Sequence, residues 1–484
     1  MTHVAPVGGA LACLGLAFLF AARGRGVRLL GLGLTTSGGA LLAGYLVPSG
    51  HGTYIGGLCL VAALVCGGLG LALRRWPWAL AYATLALVPV RVNVHVGHSG
   101  SKLLLPLYIV AGAAAVQLFV ETLQGDERSR ELGILAPPLA AFVLWTGISL
   151  TWSGDVHTGA IELLAFYVPF GVIAVGLARL PWSRRALTWL AAELGAMALG
   201  FAFVGMYQYE TRNVFWNPKV IVSNAYAPFY RVNSVFWDPS IYGRFLMVAI
   251  VAALVPVVLS RSARTQLVAG SAVVLIWIGL LLSFSQSSFA ALVVAVVGIA
   301  WIAWRRAALL AVGLVFVVLA GAGISSPHVR SALLHHSKAG LNKSTSGRAG
   351  LVSNGIRIAV HNPVFGVGVG DFKRAYAART HLKGKEPKKA ASHNTPVTVA
   401  AESGFVGLAF YVWFVLAAAG MMLGRLGWSF EHRAAIAIGL AFVAVVVHSQ
   451  FYADFFEDPT TWGLIGLGAL AAATLAKKRE EARA

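Results

Sequence analysis

Between residues 325 and 398 the chain concentrates cationic side chains: Arg330, Lys338, Lys343, Arg348, Arg357, Lys373, Arg374, Arg379, Lys383, Lys385, Lys388 and Lys389. Only Asp371 and Glu386 oppose them. Such a segment suits an anionic ligand, and a diphosphate is the natural candidate, because planar guanidinium forks match phosphate oxygens two at a time. The Lys-rich piece from Lys383 to Lys389 suits anionic lipid headgroups equally well. Acidic residues are scarce here, so there is no oxygen-ligand cluster of the kind Mg²⁺ or Mn²⁺ prefers. His335 and His336 are adjacent rather than spaced on one helical face, which disfavours zinc. No metal and no cofactor is expected, and phosphate chemistry falls to arginine. The run Gly366-Val-Gly-Val-Gly370 lacks the spacing of a dinucleotide-binding loop and reads as a tight turn. Glu162 and Glu193 fall inside apolar runs, where a carboxylate is a functional candidate by default; neither is assigned a role.

The elements that must position these groups are membrane spans. Of 484 residues 58% are hydrophobic and 12% charged, about half the charge of a typical soluble chain, and the mean hydropathy is +0.75. Apolar runs of about 18–22 residues recur, each long enough to cross a hydrocarbon core of ~30 Å. In lipid such runs must be helices, because every backbone group has to be satisfied internally. The net charge of +20 reflects Lys and Arg at span ends, and nucleic acid is not an expected partner. Cys13, Cys59 and Cys66 lie in apolar runs and suggest neither disulfides nor a thiolate site. The opening Met1–Val7 has no positive region of the kind that begins a cleavable signal.

Assigning the Arg/Lys clusters at 23–28, 74–75, 128–130, 184–185, 261–264, 305–306, 425–433 and 477–479 to the cytoplasm leaves pairs of spans between them. The expected fold is therefore an all-α polytopic membrane bundle of about 14–15 spans, with short runs such as Trp78–Val90 making the number uncertain. Five regions follow: N-terminal spans 1–207, an aromatic extracytoplasmic loop 208–241, central spans 242–324, a large, partly helical basic loop 325–398, and C-terminal spans with a cytoplasmic tail 399–484.

Three stretches resemble the O-antigen ligase and polymerase superfamily of membrane glycosyltransferases. They are Arg231-Val-Asn-Ser-Val-Phe-Trp-Asp-Pro239 running on to Arg244, Ser346-Gly-Arg348 followed by Pro363–Gly370, and Ser392-His-Asn-Thr-Pro396 continuing into Ala401-Glu-Ser-Gly-Phe-Val-Gly-Leu408. The resemblance, densest over about 205–470, implies transfer of a glycan from an undecaprenyl-diphosphate-type carrier to an acceptor at the outer face of the cytoplasmic membrane, without a metal. The partners implied are a lipid-linked oligosaccharide donor, a glycan, glycolipid or protein acceptor, and membrane lipids. His393 matches the family's catalytic histidine and Arg348 its loop arginine. The sequence departs from the family at Ser288, where an arginine is expected.

On that resemblance His393 is the general base, with Arg348 and Arg231 on the diphosphate and Arg244 as the other source of a second charge. Asn394, Glu402 and Trp237 complete the expected binding set, and the aromatic loop lines the sugar path. Each has a plainer reading. His393 suits the cap of the next span, Arg231 and Arg244 suit headgroup anchors, and Trp216, Phe236 and Trp237 suit an interfacial belt. Asp238-Pro239 suits a helix start, and Glu402 suits a first turn, where a carboxylate complements the helix dipole. A polymerase of the same superfamily is the nearest alternative. A glycolipid flippase or polysaccharide exporter is more distant, because the chain shows no paired halves with midplane polar sites.

Overall fold

The computed structural model describes residues 3–22, 24–47, 52–96, 99–125, 132–226, 229–305, 313, 348–380 and 392–484. His335, His336, Arg330, Lys338, Lys343 and the lysines from Lys383 to Lys389 lie outside the described residues. Among the described residues the fold is an all-α bundle, with one antiparallel hairpin that pairs Val92–Val96 with Ser99–Leu103. Twelve described helices are long and apolar enough to cross a membrane. Gly133–Ser149 is shorter, and the helix in the 78–90 run covers only the nine residues Ala79–Leu87. The central spans were expected to run on to residue 324, and of 306–324 only residue 313 is among the described residues.

Local chemistry explains where the helices begin. Ser183, Asp238, Ser262, Ser285, Asn394, Ser429 and Asp458 each accept a bond from a backbone N–H of the following first turn, satisfying donors that the helix leaves orphaned. Pro239 and Pro459 occupy first helical positions, where a missing N–H costs nothing. Packing in lipid depends on close approach more than on hydrophobic burial. Where Arg25–Leu46 crosses Val4–Ala21, a Cβ on Gly38 would lie 2.2 Å from the backbone nitrogen of Ala12. Only glycine lets the two backbones meet there.

The helices Val156–Ala178, Pro239–Leu259 and Pro459–Glu481 are the most buried spans, whereas Gly56–Arg75 and Ala263–Ser283 expose most of their surface. The central three are bound to their neighbours by aromatic packing. Phe456 stacks on Phe142 and Tyr167, with centroids 4.6 and 5.4 Å away. Trp462, fully buried, meets Tyr167 edge-on.

Contacts across the sequence sort the span ends into two groups. At one end Arg179 pairs with Glu121 at 2.9 Å, and Glu431 holds both Arg184 at 2.8 Å and Lys478 at 2.6 Å. At the other, Thr395 N–H donates to Ser449, Arg231 Nε to Ser283, and Val369 N–H to the Ser149 hydroxyl. The histidine and arginines singled out from the sequence lie at this second end, opposite the basic cluster ends.

Candidate functional site

The glycine run at 366–370 is not a free turn. In the helix Thr395–Leu423 the backbone breaks at Gly404, with φ 68° and ψ −174°. A break of this kind releases carbonyls from the helical ladder. Those of Ala401 and Glu402 accept Val367 N–H at 2.9 Å and Gly368 N–H at 2.8 Å. Ser403 accepts the Trp145 indole at 2.8 Å, and Phe405 N–H turns back to Pro363. The segment is thus zipped into a gap in a span, and its irregular backbone is satisfied by protein rather than by lipid. Gly368, at φ 97°, presses on the backbone of Ser153 so closely that a Cβ would lie 2.4 Å from its Cα. The turn read from the sequence is present, with Asp371 N–H donating to the Gly368 carbonyl at 3.2 Å, but the helix break that receives it was not legible.

This insertion fixes two short helices at the site end. Arg348–His361 buries Leu351, Gly355, Ile358 and Ala359. Phe372–Thr380 begins where the buried Glu402 carboxylate accepts Phe372 N–H at 3.2 Å. Glu402 therefore holds the scaffold, and it does not line the groove described next.

Arg348, Arg357 and His393 share a groove of about 540 Å³, whose lining also includes Ser353, Gln450 and Phe451. His393 has φ 60°, the left-handed region that non-glycine residues rarely occupy. Flanking hydrogen bonds impose it. Asn394 caps the next span through Val397 N–H at 3.0 Å, and its side-chain amide donates to Gln450 at 3.0 Å. Ser392 Oγ donates to the Asn394 carbonyl at 2.7 Å. Asn394 is thus the helix cap, and the imidazole one residue before it is what the groove receives.

Arg231 approaches from a third segment. Asn224 clamps its backbone at both N–H and carbonyl, and its Nε donates to Ser283 at 3.1 Å. Burial pushes its guanidinium below the usual range; Asp238 opposes that shift and the nearby Arg348 adds to it. Two guanidiniums that repel one another are a place for an anion.

Arg244 behaves differently. It is buried, its two Nη atoms engage both oxygens of Asp454, and its Nε lies 2.6 Å from Asp458. Two carboxylates already use its fork. Trp237 is half-buried, its carbonyl accepting from Asn217 and Asn233, and it is not among the groove-lining residues. Ser288 is buried, with its hydroxyl 2.8 Å from Ser285 Oγ; a Cβ on Gly243 would lie 2.8 Å from it, beside Arg244.

Residues 271–412 match the family described as O-Antigen ligase. Over that segment the chain is similar to the O-antigen ligases. No curated protein matches the chain. The matched segment includes Ser288, Arg348, His393 and Glu402, while Arg231, Arg244 and the turn after His448 fall outside it.

That turn supplies what sequence reasoning missed. Tyr452 lies between two histidines, its ring centroid 6.0 Å from His393 and 5.9 Å from His448. His448 is fully buried, with Nε2 3.0 Å from Ser287 Oγ. Burial, reinforced by Asp238 and Asp454, drives the Tyr452 phenol well above its usual range, so it stays protonated and able to donate. The available signal was a polar stretch, Ser449–Asp454, between two apolar runs. Arg348 and the nearby Arg231 thus bring positive charge to the end of the bundle where the His393 imidazole has a tyrosine ring beside it.

Proposed function

We propose that the protein transfers a glycan from an undecaprenyl-diphosphate-type lipid to an acceptor hydroxyl at the outer face of the cytoplasmic membrane. The observation that carries this reading is the groove shared by Arg348 and His393, from two separate segments, with Arg231 on a third segment near enough to Arg348 to feel its charge. His393 takes the proton of the acceptor hydroxyl, whose oxygen bonds the sugar's anomeric carbon. The bond from that carbon to the diphosphate breaks, and its electron pair leaves with the phosphate. Arg348 and Arg231 stabilise the charge that develops there, in a partly buried site where fixed donors act strongly. These roles ask nothing of a metal, and the reaction is expected to proceed in EDTA.

Ligase and polymerase activities share this donor chemistry and differ in the acceptor. The carrier, the acceptor and the membrane face are parts of the proposal that rest on the superfamily. The test is transfer by purified protein from a lipid-diphosphate oligosaccharide in EDTA. His393→Ala is expected to lose on the order of 10²–10⁴-fold in turnover, and Arg348→Ala on the order of 10²–10³-fold. Near-normal transfer by His393→Ala would remove the base assignment, and an inert wild type across several donors would remove the reaction.

A further inference from the structure

A second cavity, of about 500 Å³, shares no residue with the His393 groove. It is a crevice between the helices Arg184–Thr211, Pro239–Leu259, Phe430–His448 and Pro459–Glu481. Its origin is legible in the helix that forms its outer wall. Arg184–Thr211 buries Leu190 and then only residues from Ala198 onward, so its first turns stand away from the bundle. Opposite them the inner wall sets the small residues Ala252, Ala434, Ala437 and Gly463 among larger ones such as Val248, Ile438 and Leu464, and larger side chains at the small positions would narrow the gap.

The crevice runs along the membrane-spanning part of the fold. Phe245 and Ser260, both in its lining, are separated by ~22 Å of helix at 1.5 Å per residue. That exceeds the ~15 Å depth of one hydrocarbon leaflet. A largely apolar channel of this length, opening past the exposed Thr188 and Ala191, suits a hydrocarbon chain.

Charge in the lining marks one end only. Arg433 lies there with Ser260 and Thr265, at the end away from His393. It donates to the Leu259 carbonyl at 3.3 Å, and among the described residues it forms no ion pair. The nearest acid in sequence, Glu431, is taken by Arg184 and Lys478. Arg185, Arg261 and Arg264 are exposed at the ends of the same group of helices. The mouth is therefore cationic and uncompensated, and the channel behind it is apolar.

We propose that this crevice is a binding site for an anionic phospholipid, with its phosphate on Arg433 and an acyl chain lying against Ala252, Ala437 and Gly463. The occupant is drawn from the leaflet on the side opposite the His393 groove, so the site is separate from the transfer chemistry. Charge complementarity selects the headgroup, and the apolar walls, with room left at Ala252, Ala437 and Gly463, admit the chain.

The full-length protein in mild detergent would be given phosphatidylglycerol or phosphatidylcholine with the same acyl chains, and adducts read by native mass spectrometry. The expected result is one phosphatidylglycerol retained at least tenfold more strongly than phosphatidylcholine. Arg433→Gln should erase that preference. Ala437→Phe should abolish retention of both lipids, and Ala252→Leu, reaching the crevice from another helix, should weaken it with the same pattern. Monodispersity and melting in lipid-free detergent identify any variant that has lost its fold, and the other filling variant then decides. Equal retention of the two lipids by wild type, or adducts unchanged in the filled variants, would overturn the proposal. So would retention of a polyprenyl phosphate in preference to phosphatidylglycerol, which would give the crevice to the carrier.

Discussion

Arg244 sits in a motif that suggested phosphate binding, yet it is buried with two carboxylates, and the two roles predict opposite behaviour. Arg244→Met would leave Asp454 and Asp458 buried without their cation. Breaking a buried ion pair from one side typically costs ~3–5 kcal/mol, because the remaining charge stays desolvated. With two carboxylates abandoned at once, the upper part of that range is expected, a large share of the ~5–15 kcal/mol that stabilises a typical fold. Asp454 already sits above the usual carboxylate range through burial, with Arg244 opposing that shift. Removing the arginine removes the opposing term.

The assay is thermal and denaturant unfolding of purified protein in detergent, run beside donor-lipid binding. The triple variant Arg244→Met, Asp454→Asn, Asp458→Asn should recover at least half of the lost stability, since uncharged groups no longer need the cation. Asparagine at 458 also keeps the cap that Asp458 provides to Thr460 N–H at 2.7 Å. A single variant with wild-type melting and abolished donor binding would refute the argument and return Arg244 to the substrate.

The remaining predictions concern the same end of the bundle. Burial, with Asp454 adding to it, pushes the Glu457 carboxyl from 4.5 up to about 7. The folded protein then holds a proton that the unfolded chain has released, so stability falls as pH rises between about 4.5 and 7 and the loss is complete above that window. Glu457→Gln should flatten this part of the melting-versus-pH curve; an unchanged slope would place the titration elsewhere. Tyr452→Ala should lower kcat by at least ~10-fold by removing the ring beside His393, whereas Tyr452→Phe keeps the ring and should lose far less; equal losses would shift the role to the hydroxyl. Gly368→Ala should sharply reduce the yield of monodisperse protein, since φ 97° and the Ser153 backbone both refuse a Cβ; wild-type yield and melting would show that the inserted segment can shift.

Some of the site was legible because its signals are local. The cap Asp238 acts within its own first turn, so a reading of neighbouring residues finds it, whereas at the next site the cap is Asn394 and not the adjacent His393. Arg348 and His393 stood out through motifs that short stretches of chain carry whole. Tyr452 stood in no motif, and its contact with His393 joins residues far apart in sequence. Glu402 was visible, but its work was not: its partner Phe372 belongs to another segment, and the two meet only because Gly404 breaks a span.

The amino-acid sequence by itself determined that this is a membrane-embedded helical bundle, that one span begins at Asp238-Pro239, and which family its loops resemble. Apolar run length, caps and short motifs are properties of contiguous residues, and lipid leaves the backbone little choice but the helix. Tertiary structure alone decided which charges face one another. Arg244 was indistinguishable from Arg231 as a cationic side chain beside an Asp-Pro. Folding brought Asp454 and Asp458 to the first and Arg348 to the second. A guanidinium's role follows from the field around it, and that field is assembled from residues hundreds of positions apart.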